Sequence, residues 1–224
     1  PMSSDLAQRL EQLRKELNID GPKGPTLVAV SKTVGAPVIR TAYDTGQRDF
    51  GENRVQDLLA KMDELSDLPD IRWHFIGRLQ RNKVRKILGR VQLIHSVSSL
   101  RLAQAISRIA AEEQIDEAKI LLEVNVSGEE SKAGFTKEQL RTQLPEMCAL
   151  PNLSIEGLMT MAPFVNDKEV LQDCFKGLHS LSEEYSRDFG IGKELSMGMS
   201  NDYTVAIAEG ATIVRIGSRI FHGG

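Results

Sequence analysis

Residues 26–51, Thr-Leu-Val-Ala-Val-Ser-Lys-Thr-Val-Gly-Ala-Pro-Val-Ile-Arg-Thr-Ala-Tyr-Asp-Thr-Gly-Gln-Arg-Asp-Phe-Gly, decide how the chain folds. Thr26–Ser31 is a short run that is apolar on both faces, the pattern of a parallel strand covered on both sides. Pro37–Thr45 has helical spacing, Gly46 punctuates its end, and Arg48–Gly51 reads as a second, weaker strand. Strand, helix and strand in this order make a parallel pair joined by a right-handed crossover.

The same alternation runs outward in both directions. Upstream, Leu6, Leu10, Leu13 and Leu17 recur at helical spacing behind Ser3 and Ser4, either of which can cap, and Gly21-Pro22 with Gly24-Pro25 breaks the chain afterwards. Downstream, Val55, Leu58, Leu59 and Met62 form a helical stripe, Ile71–Ile76 a strand and Leu79–Leu88 a basic helix. Gln92–Val97 is a strand, and a helix carrying Leu100, Ala103, Ile106 and Ala110 follows it. Lys119–Val126 (KILLEVNV) is the strongest strand, Lys137–Leu150 a helix, Ser154–Met159 a strand and Lys168–Asp188 a long helix. Glu194–Met197, a helix at Tyr203–Glu209 and a last strand, Thr212–Ile216, complete the series. Eight strands with seven intervening helices predict an α/β fold: a (β/α)8 TIM barrel with an extra N-terminal helix, one domain over residues 1–224. An open doubly wound sheet is the alternative, because Arg48–Gly51 is a weak strand.

Composition agrees with a folded domain. The chain has 224 residues, 41% hydrophobic and 26% charged, so its length supports a sizeable core without disulfides or metal. Its 28 Lys and Arg against 31 Asp and Glu leave a formal charge of −3, which gives no reason to expect nucleic acid. No apolar run approaches the ~20 residues of a membrane span. Cys148 and Cys174 lack CxxC or Cys/His spacing and suit a reducing compartment, so the expected location is cytoplasmic. Pro1 stands ahead of Met2, which reads as the natural start. No apolar face stands out in the sequence, and a monomer is expected.

Barrels of this kind do chemistry in the loops after the C-terminal strand ends. Those ends carry Lys32, Glu52 with Asn53, Gly77, Ser96, Asn125, Thr160, Met199 with Ser200, and Gly217 with Ser218. Lys32 follows Leu27–Val30, so its amine can emerge from apolar walls, where desolvation favours the neutral form that condenses with carbonyls. On this residue alone, a solvated lysine just past a strand is the simpler reading. Ser196–Asp202 and Arg215–Ser218 follow the last two strands, where barrels often bind phosphate through backbone N–H groups. Ser200 or Asn201 as a plain helix cap is the alternative there. Lys32 and these two loops together suggest a phosphorylated carbonyl compound bound covalently.

The basic segment Arg78–Arg90 reads either as an anion or partner site near the mouth or, more simply, as a solvated helix face. His74, His95, His179 and His222 lack metal-ligand spacing and read as structural, so no metal is expected. Glu129 and Glu130 lack an acid–base partner, and no GxSxG, P-loop or HExxH motif occurs.

Several stretches resemble one family. They are AVSK ending at Lys32, GEN at Gly51–Asn53, WHFIG from Trp73 with the following LQ and NK, NVS at 125–127 with ESKAG at 130–134, EGLM from Glu156, SMGMSNDY at 196–203 and VRIGSRIFH at 214–222. In this order they resemble the pyridoxal 5′-phosphate (PLP) homeostasis proteins, the YggS/PROSC family. His222 departs from the pattern, where the family usually has Gly. The resemblance implies a fold-type III PLP protein with the barrel of the alanine racemase N-terminal domain. It implies that Lys32 forms the Schiff base, that Ser200, Gly217 and Ser218 hold the phosphate, that Arg215 faces the pyridine nitrogen, that Asn53 lies on the ring-hydroxyl side, and that Met199 packs on the ring.

An arginine at the pyridine nitrogen opposes its protonation and makes the ring a poor electron sink. The expected function is therefore PLP binding in intracellular vitamin B6 homeostasis and amino-acid/keto-acid balance, by a carrier or regulator rather than an enzyme. The alternative is a PLP-dependent amino-acid racemase, which needs two bases on opposite faces of the substrate carbon. In the racemases that share this barrel the second base is a tyrosine of an added C-terminal domain. The chain ends at Gly224 soon after the last strand, so no such domain is expected; Tyr43, Tyr185 and Tyr203 are its only tyrosines. Protein partners, if transient ones exist, are expected at Arg78–Arg90.

Overall fold

The computed structural model describes residues 2–19, 21–130 and 133–223. Among these residues eight parallel strands pair in sequence order: β1 (Thr26–Val30), β2 (Asp49–Glu52), β3 (Arg72–Phe75), β4 (Leu93–Val97), β5 (Ala118–Glu123), β6 (Leu153–Met159), β7 (Glu194–Ser196) and β8 (Ile213–Ile216). β8 pairs with β1, Ile216 opposite Ala29, and this closes the ring. Closure excludes the open sheet. Outside lie α1 (Met2–Leu17), α2 (Ala36–Asp44), α3 (Val55–Glu64), α4 (Val84–Ile87), α5 (Leu100–Glu112), α6 (Lys137–Cys148), α7 (Lys168–Phe189), α8 (Tyr203–Ala208) and α9 (Ser218–Phe221).

The extra helix α1 packs on α2 and α9. Its leucines Leu6, Leu10, Leu13 and Leu17 are all buried, each contributing roughly 1.5–3 kcal/mol of transfer free energy. Helix ends follow local chemistry. Ser99 caps α5 by accepting from Leu102 N–H. Thr136 and Gln139 form a reciprocal capping box on α6, and Gly190 ends α7 in the left-handed conformation.

One predicted element is corrected. Leu79–Leu88 is not a full helix but a single 3-10 turn, Arg81–Lys83, followed by the four-residue α4. Leu79, Val84, Ile87 and Leu88 are all buried, but the backbone is extended at Gln80 (ψ 141°) and at Leu88 (ψ 135°), which bounds the turn on both sides, and Gly89 then takes a positive φ of 83°. The weak strand at Arg48–Gly51 is real, displaced by one residue to Asp49–Glu52, and its four residues are all buried.

Side chains alternate across each strand, and the barrel interior therefore receives one set. An apolar cluster there holds Val28, Leu93, Leu121, Met159 and Ile213. The rest of the interior is polar, with Asp49, His74, His95, Ser196 and Arg215 all buried. The larger apolar core lies between the sheet and the helices.

Candidate functional site

Lys32 stands two residues beyond β1 and is exposed at the barrel's C-terminal mouth. The residue before it is clamped. Ser31 is fully buried and its hydroxyl donates to the Glu52 carboxylate at the end of β2. Lys61 of α3 reaches in from outside, donating to both Glu52 oxygens at 2.9 Å and to the Ser31 carbonyl at 2.8 Å. A buried charge pair with its lone pairs satisfied is rigid, so the backbone that carries Lys32 is fixed although its side chain is free to move.

A cavity of about 430 Å³ opens at this mouth, and Lys32, Asn53, Met199 and Arg215 all line it. Its size suits a small cofactor. Asn53 is set by Gly77, where a Cβ would come within 2.1 Å of the Asn53 carbonyl oxygen. Arg215 of β8 is 2% exposed, donating to Ser196 Oγ and, at 3.1 Å, to the Thr160 carbonyl. Burial pushes its pKa down to about 10, against the pull of Glu123 and Asp202, and this leaves it cationic at neutral pH.

Ser200, Gly217 and Ser218 do not line the cavity but flank it. The Ser200 hydroxyl accepts from the Arg219 N–H at 3.3 Å, which ties the loop after β7 to the start of α9 rather than capping α8. Gly217 lies against β1: a Cβ there would meet the Val30 carbonyl oxygen at 3.1 Å, and Val30 is itself a cavity residue. Ser218 is exposed as the first residue of α9. The Met199 N–H donates to Asp202 Oδ1 at 2.7 Å and holds the loop after β7 closed.

The strand-end reading missed Glu123, the last residue of β5, because it placed that end at Asn125. Glu123 lines the cavity at 7% exposure, and burial raises its pKa against the opposing charge of Arg215. Of the basic segment only Arg78 reaches the cavity. Arg81, Arg85, Lys86 and Arg90 are exposed, and Arg85 pairs with Glu112, the last residue of α5, and with Glu113 just beyond it. Ser131 and Lys132 of the ESKAG stretch lie outside the described residues, as do Pro1 and Gly224, while Ala133 and Gly134 line the cavity.

None of the three tyrosines lines the cavity among the described residues. The Tyr203 hydroxyl donates to Glu16 of α1 at 2.7 Å, and its pKa is pushed up to about 12 by burial and by that bond. Tyr43 bonds Asp70, and Tyr185 is buried in α7. An exposed apolar group, unforeseen in the sequence, sits by the mouth: Met161 and Met199 line the cavity at 38% and 39% exposure, and Phe164, in the loop after β6, is 87% exposed. No described helix is long and apolar enough to cross a membrane, and no group of three metal-ligating side chains occurs among the described residues.

The family model of the alanine racemase N-terminal domain matches residues 3–223. A pyridoxal phosphate homeostasis protein of Aquifex aeolicus is 44% identical over 219 residues, 96% of this chain and 95% of that protein. The structure of PipY from Synechococcus elongatus with PLP bound superimposes with a TM-score of 0.89 at 42% identity, covering 96% of this chain and 99% of that one. Alanine racemase from Corynebacterium glutamicum shares the fold, with a TM-score of 0.77 at 16% identity, and this chain covers 62% of it.

Proposed function

The chain belongs to the pyridoxal phosphate homeostasis proteins, within the family of the alanine racemase N-terminal domain, and from that premise we propose that it binds PLP at the barrel mouth to buffer or deliver it. The observation that carries this reading is the convergence of Lys32 and Arg215 on one cavity. The residues fit the group: an amine for its aldehyde, a guanidinium for its pyridine nitrogen, an amide at Asn53, and an apolar thioether at Met199. Gly217, with no side chain to fill the space over Val30, leaves room for a phosphate beside Ser200 and Ser218.

PLP when bound supplies an electron-withdrawing ring and an aldehyde that reacts with amines. The protein's own groups set how far that chemistry goes. Lys32 would hold the cofactor by its amine. Arg215 would face the ring nitrogen and, being cationic, would oppose its protonation, which limits carbanion stabilisation. No tyrosine faces the cavity to serve as a second base. A carrier or regulator without turnover is the reading these groups favour, and cytoplasmic residence suits the two free cysteines.

The racemase alternative has one observation in its favour: Glu123 is a second proton-carrying group in the cavity beside Lys32. Titrating the protein with PLP while recording its visible absorbance tests binding. Saturation in the wild type and its loss in Lys32→Ala are expected; an unchanged Lys32→Ala titration would overturn the assignment. Incubation with single-enantiomer amino acids and chiral analysis tests turnover. Rates near about 1 per second would make the protein a racemase.

A further inference from the structure

Arg215 does not end its hydrogen bonding at Ser196. Ser196 Oγ lies 2.8 Å from His95 Nδ1, His95 Nε2 lies 2.9 Å from His74 Nδ1, and His74 Nε2 lies 2.9 Å from Asp49 Oδ1. Arg72 closes the far end with two bonds to the Asp49 carboxylate, at 3.1 and 2.9 Å. The chain crosses the barrel interior from the cofactor mouth to a second cavity of about 250 Å³ that Asp49, Arg72 and His74 line. Ser196, His95 and His74 are 0%, 0% and 3% exposed.

Its end groups dictate its direction. An arginine can only donate and a carboxylate can only accept. His74 Nε2 therefore carries a proton toward Asp49. Burial, with His74 and Arg215 close by, holds the His95 pKa well below its ordinary value, so that ring is neutral. If each ring carries one proton, one arrangement uses every proton once: Arg215 donates to Ser196, Ser196 to His95 Nδ1, His95 Nε2–H to His74 Nδ1, and His74 Nε2–H to Asp49. A second proton on His74 would run the histidine links backwards. Ser196 would then face two donors, and its own proton would lose its acceptor.

We propose that Ser196, His95, His74 and Asp49 are positioning residues for Arg215: their one-way chain presents Ser196 as an acceptor, fixes the rotation of the guanidinium, and aims its remaining N–H groups at the ring nitrogen of PLP. The proposal rests on PLP binding as read above. The five donors of a guanidinium lie in one plane, so pinning one nitrogen to Ser196 and another to the Thr160 carbonyl orients the whole group. It also gives a purpose to a polar chain that an all-apolar barrel interior would not need.

Nitrogen-15 NMR of the histidine-labelled wild-type protein reads the chain directly, with no substitution. His95 is expected as a neutral ring protonated at Nε2; a proton on its Nδ1 would overturn the proposal. PLP titration of Ser196→Ala, His95→Leu and the double variant, followed by visible absorbance, tests the consequence. Each single variant should bind about tenfold more weakly, as expected for losing a hydrogen bond to a charged group. The double variant should be no worse than the weaker single, and Ser196→Thr should restore the wild-type spectrum. Wild-type affinity and spectrum in Ser196→Ala would sink the proposal, even if its melting temperature falls, since that fall alone marks a structural role. Should His95→Leu fail to fold, Ser196→Ala and the NMR measurement still decide. A wild type that takes up no PLP would instead count against the function proposed above.

Discussion

Lys32 and Glu123 face the same cavity with different degrees of freedom. Lys32 is exposed, while Glu123 is nearly buried and its pKa is raised by burial. A carboxyl whose folded pKa exceeds its unfolded value of about 4.5 contributes stability that is complete below that value and lost as pH rises through the folded value. Glu123→Gln carries no such loss. Melting temperatures of the two proteins from pH 4 to pH 7 should therefore diverge, with the variant gaining on the wild type as pH rises; parallel curves would contradict the burial of Glu123. Lys32, Asn53, Met199 and Arg215 were legible in the sequence because strand ends and family motifs mark them. Glu123 was not, since KILLEVNV continues as an apolar strand pattern past the residue where β5 stops. His74 and His95 read as structural from spacing. The link between them is spatial, across β3 and β4, and leaves no trace in spacing along the chain.

At the scale of elements, β2 shows why a strand can hide. Asp49-Phe50-Gly51-Glu52 holds three residues disfavoured in strands, yet each has an interior reason. Asp49 accepts from Arg72 and His74, Glu52 from Ser31 and Lys61, and Gly51 leaves space where a Cβ would meet Val28 at 2.9 Å. The Glu52–Lys61 pair is the joint between β2 and α3, and through Ser31 it fixes the approach to Lys32. Lys61→Ala would leave the Glu52 charge buried without its partner, a cost of about 3–5 kcal/mol. Denaturant unfolding should show a loss of this order, and a loss below about 1 kcal/mol would mean that solvent reaches Glu52. The short α4 fails in the opposite sense: its basic, helix-compatible residues suggested a full helix, but extended backbone at Gln80 and Leu88 leaves only short turns between them.

Across the whole molecule, the strict alternation of strand and helix in the sequence predicts eight parallel strands, and the pairing of β8 with β1 closes them into a ring rather than the open sheet. What alternation does not show is that the interior holds a buried polar chain beside an apolar cluster. Periodicity records that a side chain points inward, not which inward neighbours it meets. The polar chain meets the cofactor mouth at Arg215, and the helices outside carry the larger apolar core. If this mouth holds PLP, Lys32 is the residue that carries it. Borohydride reduction of the PLP-loaded protein, followed by proteolysis and mass mapping, tests it most directly. One modified peptide is expected, carrying the reduced cofactor on Lys32; a cofactor fixed to another lysine, or to none, would overturn the assignment.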